Sequence, residues 1–239
     1  MRRVAIAQSN YIPWKGYFDL IHDVDLFVFY DDVQFTAHDW RNRNRIKTPR
    51  GPAWLTIPVG TSLRRLICEV GIGSSKWQAT HWKTLRQFYG RAPFFEAYEG
   101  WLRTVYLERA WGDLSTLNQW LIKAIAREHL AIRTEFLESS RFTLAGKKQD
   151  RVLDLLGQVQ ADVYVSGPAG KAYLQTERFH AQGIELVWKD YGGYPEYPQF
   201  YPPFEHHVTV LDLLLHAGPD APYFIWGWRQ DRQASPAPA

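Results

Sequence analysis

The opening thirty-two residues limit the accessible folds most. Residues 2–7 (RRVAIA) are a short apolar run, and a polar, proline-bearing turn follows it. YFDLIHD then repeats its apolar residues at helical spacing, and DLFVFYDD is a second apolar run ending in two aspartates. Two such runs around a helical segment predict a strand–helix–strand unit, hence parallel strands with the ligand outside their carboxyl ends. Gln8, Asn10, Tyr11, Asp31 and Asp32 belong to that edge.

The alternation breaks off at about 33–110. DWRNRNRIKTPRG, AWLTIPVG and CEVGIG read as short strands interrupted by Pro and Gly, the pattern of an antiparallel insertion. Helical periodicity takes over at 77–90, at 93–111 behind Pro93, and at 113–130, where Asp113 or Ser115 is placed to cap. Strands at 133–138, 162–166 and 184–188 then alternate with helices at 149–160 and 172–182. A last helix near 208–217 follows the aromatic, proline-rich loop YGGYPEYPQFYPPF. The expected fold is α/β, with a Rossmann-like, mostly parallel sheet. A single domain spans 1–228 with a β-rich and helical insertion at about 33–110, and 229–239 is a disordered tail.

Composition narrows the function classes. A single cysteine, Cys68, excludes a disulfide scaffold, a Cys-rich zinc site and a CxxC redox pair. Lys and Arg number 28 against 25 Asp and Glu, and a net +3 does not mark a nucleic-acid binder by bulk charge. Five of those cations nevertheless fall within 41–50. The N-terminus has no signal-peptide core and no window approaches roughly 18 uninterrupted apolar residues, so a cytoplasmic protein without membrane insertion is expected. Aromatic residues make up 15% of the chain and serve cores and stacking surfaces alike.

Four stretches carry candidate chemistry. The turn Gln8–Tyr17 feeds a strand into a helix and aims backbone N–H groups at an anion. Asp31 and Asp32 on an extended strand point to opposite faces, so one enters a cleft, where it would bind Mg²⁺, hold a ribose hydroxyl or orient an amine. Gln34 follows them. In WRNRNRIK, period two places Arg41, Arg43, Arg45 and Lys47 on one face, suited to phosphate. Asn42 and Asn44 fall on the other with Trp40 and Ile46, where buried amides need partners. The turn Ser166–Tyr173 is Gly-rich between a strand and a helix but is not a Walker A motif. Plain structural roles compete with each of these: a packed turn, strand-end carboxylates, a charged edge strand. His81 on the 77–90 helix is a candidate general base. Glu205-His206-His207 lacks a third ligand at a recognised spacing, so no metal site is expected.

Taken together, AIAQSNYIPWKGYFDLI, FYDDVQF, DWRNRNRIKT, WLTIPV and DVYVSGPAGKAYL resemble the WbqC-like family, from Val4 to about Gly218. The resemblance implies work in surface-polysaccharide (O-antigen) synthesis, with transfer of an aminoacyl, such as glycyl, or other acyl group to a sugar amine. It brings no assigned catalytic residue. On that expectation the catalytic set is Asp31, Tyr11, Gln8 and His81, with Asp31 orienting or deprotonating the amine while Gln8 and Tyr11 position the acceptor. Arg43 and Lys47, joined by Arg41 or Arg45, hold diphosphate or a tRNA or adenylate phosphate, and Trp14, Trp40 or Tyr173 stacks on base or sugar. Asn10, Gln34, Asn42, Asn44, Gly167 and Lys171 complete the binding set. The expected partner is a nucleotide sugar or another phosphate-bearing small molecule. The donor stays open between ATP (with Mg²⁺) plus free amino acid, aminoacyl-tRNA and a thioester. Two other classes remain: a non-catalytic nucleotide- or carbohydrate-binding protein, and a metal-dependent glycosyltransferase using Asp31-Asp32.

Overall fold

The computed structural model describes residues 1–234. β1 (Arg3–Ala7), α1 (Lys15–His22) and β2 (Leu26–Phe29) form the expected unit, with β1 and β2 parallel and Val4 beside Leu26. The chain then leaves the sheet. It makes an antiparallel hairpin of β3 (Arg43–Thr48) and β4 (Gly51–Thr56), then α2 (Lys76–Tyr89), α3 (Phe95–Arg103) and α4 (Leu114–Ala124). Asp113 caps α4, accepting a 2.7 Å bond from the Thr116 amide. β5 (Glu135–Glu138) returns to the sheet, followed by α5 (Gln149–Gln158), β6 (Val163–Ser166), α6 (Thr176–His180) and β7 (Glu185–Trp188). α7 (Val210–Ala217) and α8 (Trp228–Ala234) end the described chain.

The sheet has the order β5-β2-β1-β6-β7, and every pair in it is parallel. Its strands are apolar on both faces because helices cover both. Ala5, Phe27, Phe29 and Val165 pack on the side of α1 and α4, while Val4, Leu26, Val28 and Tyr164 pack with Leu153 and Leu156 of α5. The order reverses between β1 and β6, so the loops after those two strands flank the position where such sheets bind ligands.

Several elements differ from the sequence reading. CEVGIG is no strand: Ile67–Glu69 is a tight turn, and only a single bridge joins Gly71 to Asp113, since two glycines in four residues disfavour extended pairing. The helix expected at 172–182 is reduced to α6, because Pro168 starts a separate tight turn over Pro168–Ala172. The tail expected from 229 begins as α8, tied down by Arg229, whose guanidinium pairs with Asp19 of α1; residues 235–239 lie outside the described residues. No helix among the described residues is long and apolar enough to cross a membrane.

Candidate functional site

Three segments distant in sequence meet beyond the carboxyl end of β1. The first is the turn 8–14, which reverses at Ile12 in the left-handed region (φ +36°). A β-branched residue there is strained, and Asn44 of β3 holds it, donating from Nδ2 to the carbonyls of Tyr11 (3.0 Å) and Ile12 (2.8 Å). The second is the hairpin with its approach, Trp40–Arg45. The third is the strap before α7, zipped between the other two: the Thr209 amide donates to Arg45 O (2.8 Å) and the Val210 amide to Pro13 O (2.9 Å). Asn10, Pro13, Trp14, Trp40, Asn44 and His207 line the resulting cleft of about 250 Å³. Trp14 lies flat over Gly16, where any side chain would collide with its ring.

Cations and a histidine–carboxylate pair border the cleft. Arg41 donates to Gln8 Oε1 (3.1 Å) and to Asn10 Oδ1, and Arg45 donates to the His207 carbonyl (2.8 Å) with its guanidinium 5.8 Å from the Trp40 ring. The Nε atoms of both arginines are buried without a hydrogen-bond partner. The His207 ring leans on Trp14 at 5.1 Å between centroids, and its Nδ1 lies 3.3 Å from Glu205 Oε1, which also accepts from the His207 amide (2.8 Å). Burial pushes the Glu205 carboxyl up, but the His207 amide, Arg45 and the His207 ring pull it down further, so it sits below the ordinary range and is ionised at neutral pH. With Nδ1 turned to that carboxylate, Nε2 is the nitrogen left to act on a ligand.

The residues singled out in the sequence divide sharply. Asn10, Trp14, Trp40 and Asn44 line the cleft, and Gln8 reaches it through Arg41. Asn44 is a positioning residue, since its amide is spent on the turn and its Oδ1 on the Arg45 amide. Asn42 likewise serves the hairpin, donating to Ile57 O (2.9 Å). Period two holds along β3 as far as Ile46. Lys47 then buries, its amine donating to Pro203 O beneath the 203 loop, so it cannot hold phosphate at the cleft. Arg43 turns to the outer side, 4.1 Å over Trp54, and Trp40 joins that side rather than the asparagine face. The cleft cations are therefore Arg41 and Arg45, not Arg43 and Lys47.

Asp31 is 4% exposed, and both its oxygens are occupied: Oδ1 by the Ser9 amide (2.8 Å), Oδ2 by Ser115 Oγ (2.5 Å) and Gln119 Nε2 (3.2 Å). It fixes the 8–10 loop onto α4 and does not face the cleft. Asp32 points to the opposite side, paired with Arg151 at 2.6 Å. The two carboxylates never converge, which removes the observation behind a metal-dependent glycosyltransferase. No group of three or more metal-ligating side chains occurs among the described residues. Gln34 is exposed on the far side of the insertion, donating to Leu63 O. Gly167 stands behind Tyr191, itself 5.3 Å from Trp14, while Lys171 lies over Trp188 and Tyr173 is 68% exposed, so the second Gly-rich turn does not line the cleft. His207 stands out in the sequence only as part of Glu205-His206-His207; the strap's pairing with both the turn and β3 brings it to the cleft.

Tyr11 and His81 are buried in the core and do not line the cleft. The Tyr11 hydroxyl lies 2.9 Å from His81 Nδ1 and 2.7 Å from the Tyr106 hydroxyl, and His81 Nε2 donates to Thr56 O (3.2 Å). A carbonyl only accepts, so Nε2 carries a proton; with burial holding the ring neutral at pH 7, Nδ1 is bare and accepts from Tyr11. Burial lowers its pKa from 6.5 to about 4, against the smaller opposing effect of the Thr56 carbonyl. The unfolded chain therefore takes up a proton that the folded one refuses. His81 contributes about 3 kcal/mol of stability above pH 6.5, lost as pH falls towards 4. Urea unfolding at pH 7, 5.5 and 4 should show this slope, and His81→Gln should remove its component. A slope unchanged in the variant would place the titration elsewhere.

Residues 8–223 match the sequence model of the WbqC-like protein family. A protein of Mycobacterium tuberculosis (strain ATCC 25618 / H37Rv), named "Uncharacterized protein Rv1507c", is 44% identical over 232 residues, covering 96% of this chain and all of that one. No solved structure matches the chain.

Proposed function

The chain belongs to the WbqC-like protein family, and on that premise we propose that it transfers an aminoacyl or other acyl group to the amine of a nucleotide-activated amino sugar in surface-polysaccharide synthesis. The observation that carries the proposal is the cleft: two tryptophans facing a space of about 250 Å³, with the guanidinium groups of Arg41 and Arg45 at its border. A base or sugar ring fits against indole faces, and guanidinium forks fit diphosphate oxygens. In this scheme Arg41 and Arg45 take the diphosphate, Trp14 and Trp40 hold the rings, and Asn10 orients a hydroxyl. Asp31, Gln8 and Asn44 are positioning residues behind them.

The reaction forms a bond between the amine nitrogen and the acyl carbonyl carbon and breaks the carbonyl's bond to its leaving oxygen or sulfur. His207 Nε2, held by Glu205, receives the proton the amine gives up and passes it to the leaving group. A nucleotide-activated acceptor places this chemistry in the cytoplasm. Incubation with labelled glycine and a nucleotide amino sugar, first with ATP and then with charged tRNA, tests the proposal. Incorporation that falls at least tenfold in His207→Gln supports it. Tight binding with no incorporation under either donor or a glycyl thioester would instead make the protein a non-catalytic binder of the nucleotide sugar.

A further inference from the structure

The outer side of the hairpin is chemically unlike the rest of the surface. Between Asp39 and Glu69 the sequence holds seven of the 28 Lys and Arg and none of the 25 Asp and Glu, a local +7 against −4 for the remainder of the chain; Lys47 is buried and Arg41 turns to the cleft, while Arg43 and Arg45 stand on this side. On that side Trp54 and Trp40 are 44% and 41% exposed and lie 5.3 Å apart between ring centroids. Arg43 stands 4.1 Å over Trp54, and Arg45, directly opposite Trp54 in the β3–β4 register, lies 5.9 Å from the same ring. The nearby carboxylates are already engaged: Asp39 accepts from the Arg41 amide and Glu205 from the His207 amide.

We propose that this tryptophan–arginine face binds the single-stranded 3′ end of an RNA. Exposed indoles flanked by guanidiniums match unpaired bases, which offer a flat face for stacking and a phosphate for every base. A duplex hides those faces, and an acidic peptide carries the charge without the rings. Trp40 belongs both to this face and to the cleft wall, so the path along Trp54 and Trp40 ends beside Asn10, Trp14 and His207. An acyl ester on the terminal ribose would thus arrive at the acceptor amine. The inference rests on the proposed acyl transfer in this last respect, and it selects an RNA-borne ester as the donor. The amine nitrogen bonds to the ester carbonyl carbon, the carbonyl–ribose oxygen bond breaks, and the ribose hydroxyl regains its proton.

Fluorescence anisotropy with an RNA hairpin bearing a four-nucleotide 3′ tail, compared with its blunt-ended version, tests the face at 50 and 200 mM KCl. The tailed RNA should bind at least tenfold more tightly than the blunt one. Trp54→Ala and Arg43→Ala should each weaken tailed-RNA binding several-fold, and Arg43→Ala should flatten its salt dependence. Both variants should keep wild-type affinity for a nucleotide amino sugar in calorimetry. Equal binding of tailed and blunt RNA, no RNA binding, or affinity indifferent to both substitutions overturns the inference. So does a concentration-dependent dimer that Trp54→Ala dissociates, which would assign the face to a second copy of the chain. Sugar-nucleotide binding that survives while RNA binding fails leaves the cleft reading standing; the reverse result overturns the cleft reading alone.

Discussion

Asp19→Ala is expected to lower the unfolding free energy by about 3–5 kcal/mol, the largest effect of any single substitution considered for this chain. Asp19 is wholly buried on α1 and accepts from four directions. Arg229 of α8 grips it through both terminal nitrogens (2.8 and 2.6 Å), Lys189 lies at 2.9 Å, and the Tyr194 hydroxyl donates at 2.5 Å. The Arg229 guanidinium is held charged by its bonds to this carboxylate, and burial beside Asp19 drives the Tyr194 hydroxyl far above its ordinary range. Removing the carboxylate leaves the buried Lys189 ammonium with Asp23 alone and Arg229 with none of its fork. Asp19→Asn, which keeps the shape and some acceptors, should cost less. Urea titration at pH 7 reads both. A loss under about 1 kcal/mol for the alanine variant would mean that the network is solvated and contributes like a surface pair.

Trp14→Ala should cost roughly 1–3 kcal/mol of nucleotide-sugar affinity, a loss of roughly 5- to 150-fold, measured on protein shown to be folded. Trp14 is one wall of the cleft, and its ring also positions His207. Removing it takes away a stacking face and frees the histidine together. Gly16→Ala provides an independent route to the same end, because a methyl at that position meets the Trp14 ring and must displace it. If calorimetry shows unchanged affinity in both variants, the ligand does not enter between Trp14 and Trp40.

The parallel sheet is legible in the sequence because β1, β2, β6 and β7 are short apolar runs separated by helical periodicity, a pattern that both-face burial requires. The hairpin is legible for a similar reason, as alternation along RNRNRI fixes which side chains turn inward. What local pattern misses is long-range pairing. Tyr11 sits in a polar turn yet is buried, because the left-handed residue at Ile12 folds the chain back over the Tyr106–His81 cluster. Lys47 continues the cationic alternation yet is buried, because the 203 loop crosses above it. His207 enters the site only through the backbone bridge between Trp14 and Thr209, for which neither segment carries a sequence signal. Two adjacent aspartates suggest a metal pair, but they lie past the end of β2 and turn apart, one to α4 and the other to α5.

A crystal of the protein soaked with a nucleotide amino sugar would show whether the Trp14–Trp40 cleft holds the acceptor. Ring density is expected between Trp14 and Trp40, with diphosphate oxygens on Arg41 and Arg45 and the sugar amine within about 3.2 Å of His207 Nε2. A ligand seated instead on the Gly167–Tyr173 turn, with the Trp14–Trp40 cleft empty, would contradict that placement.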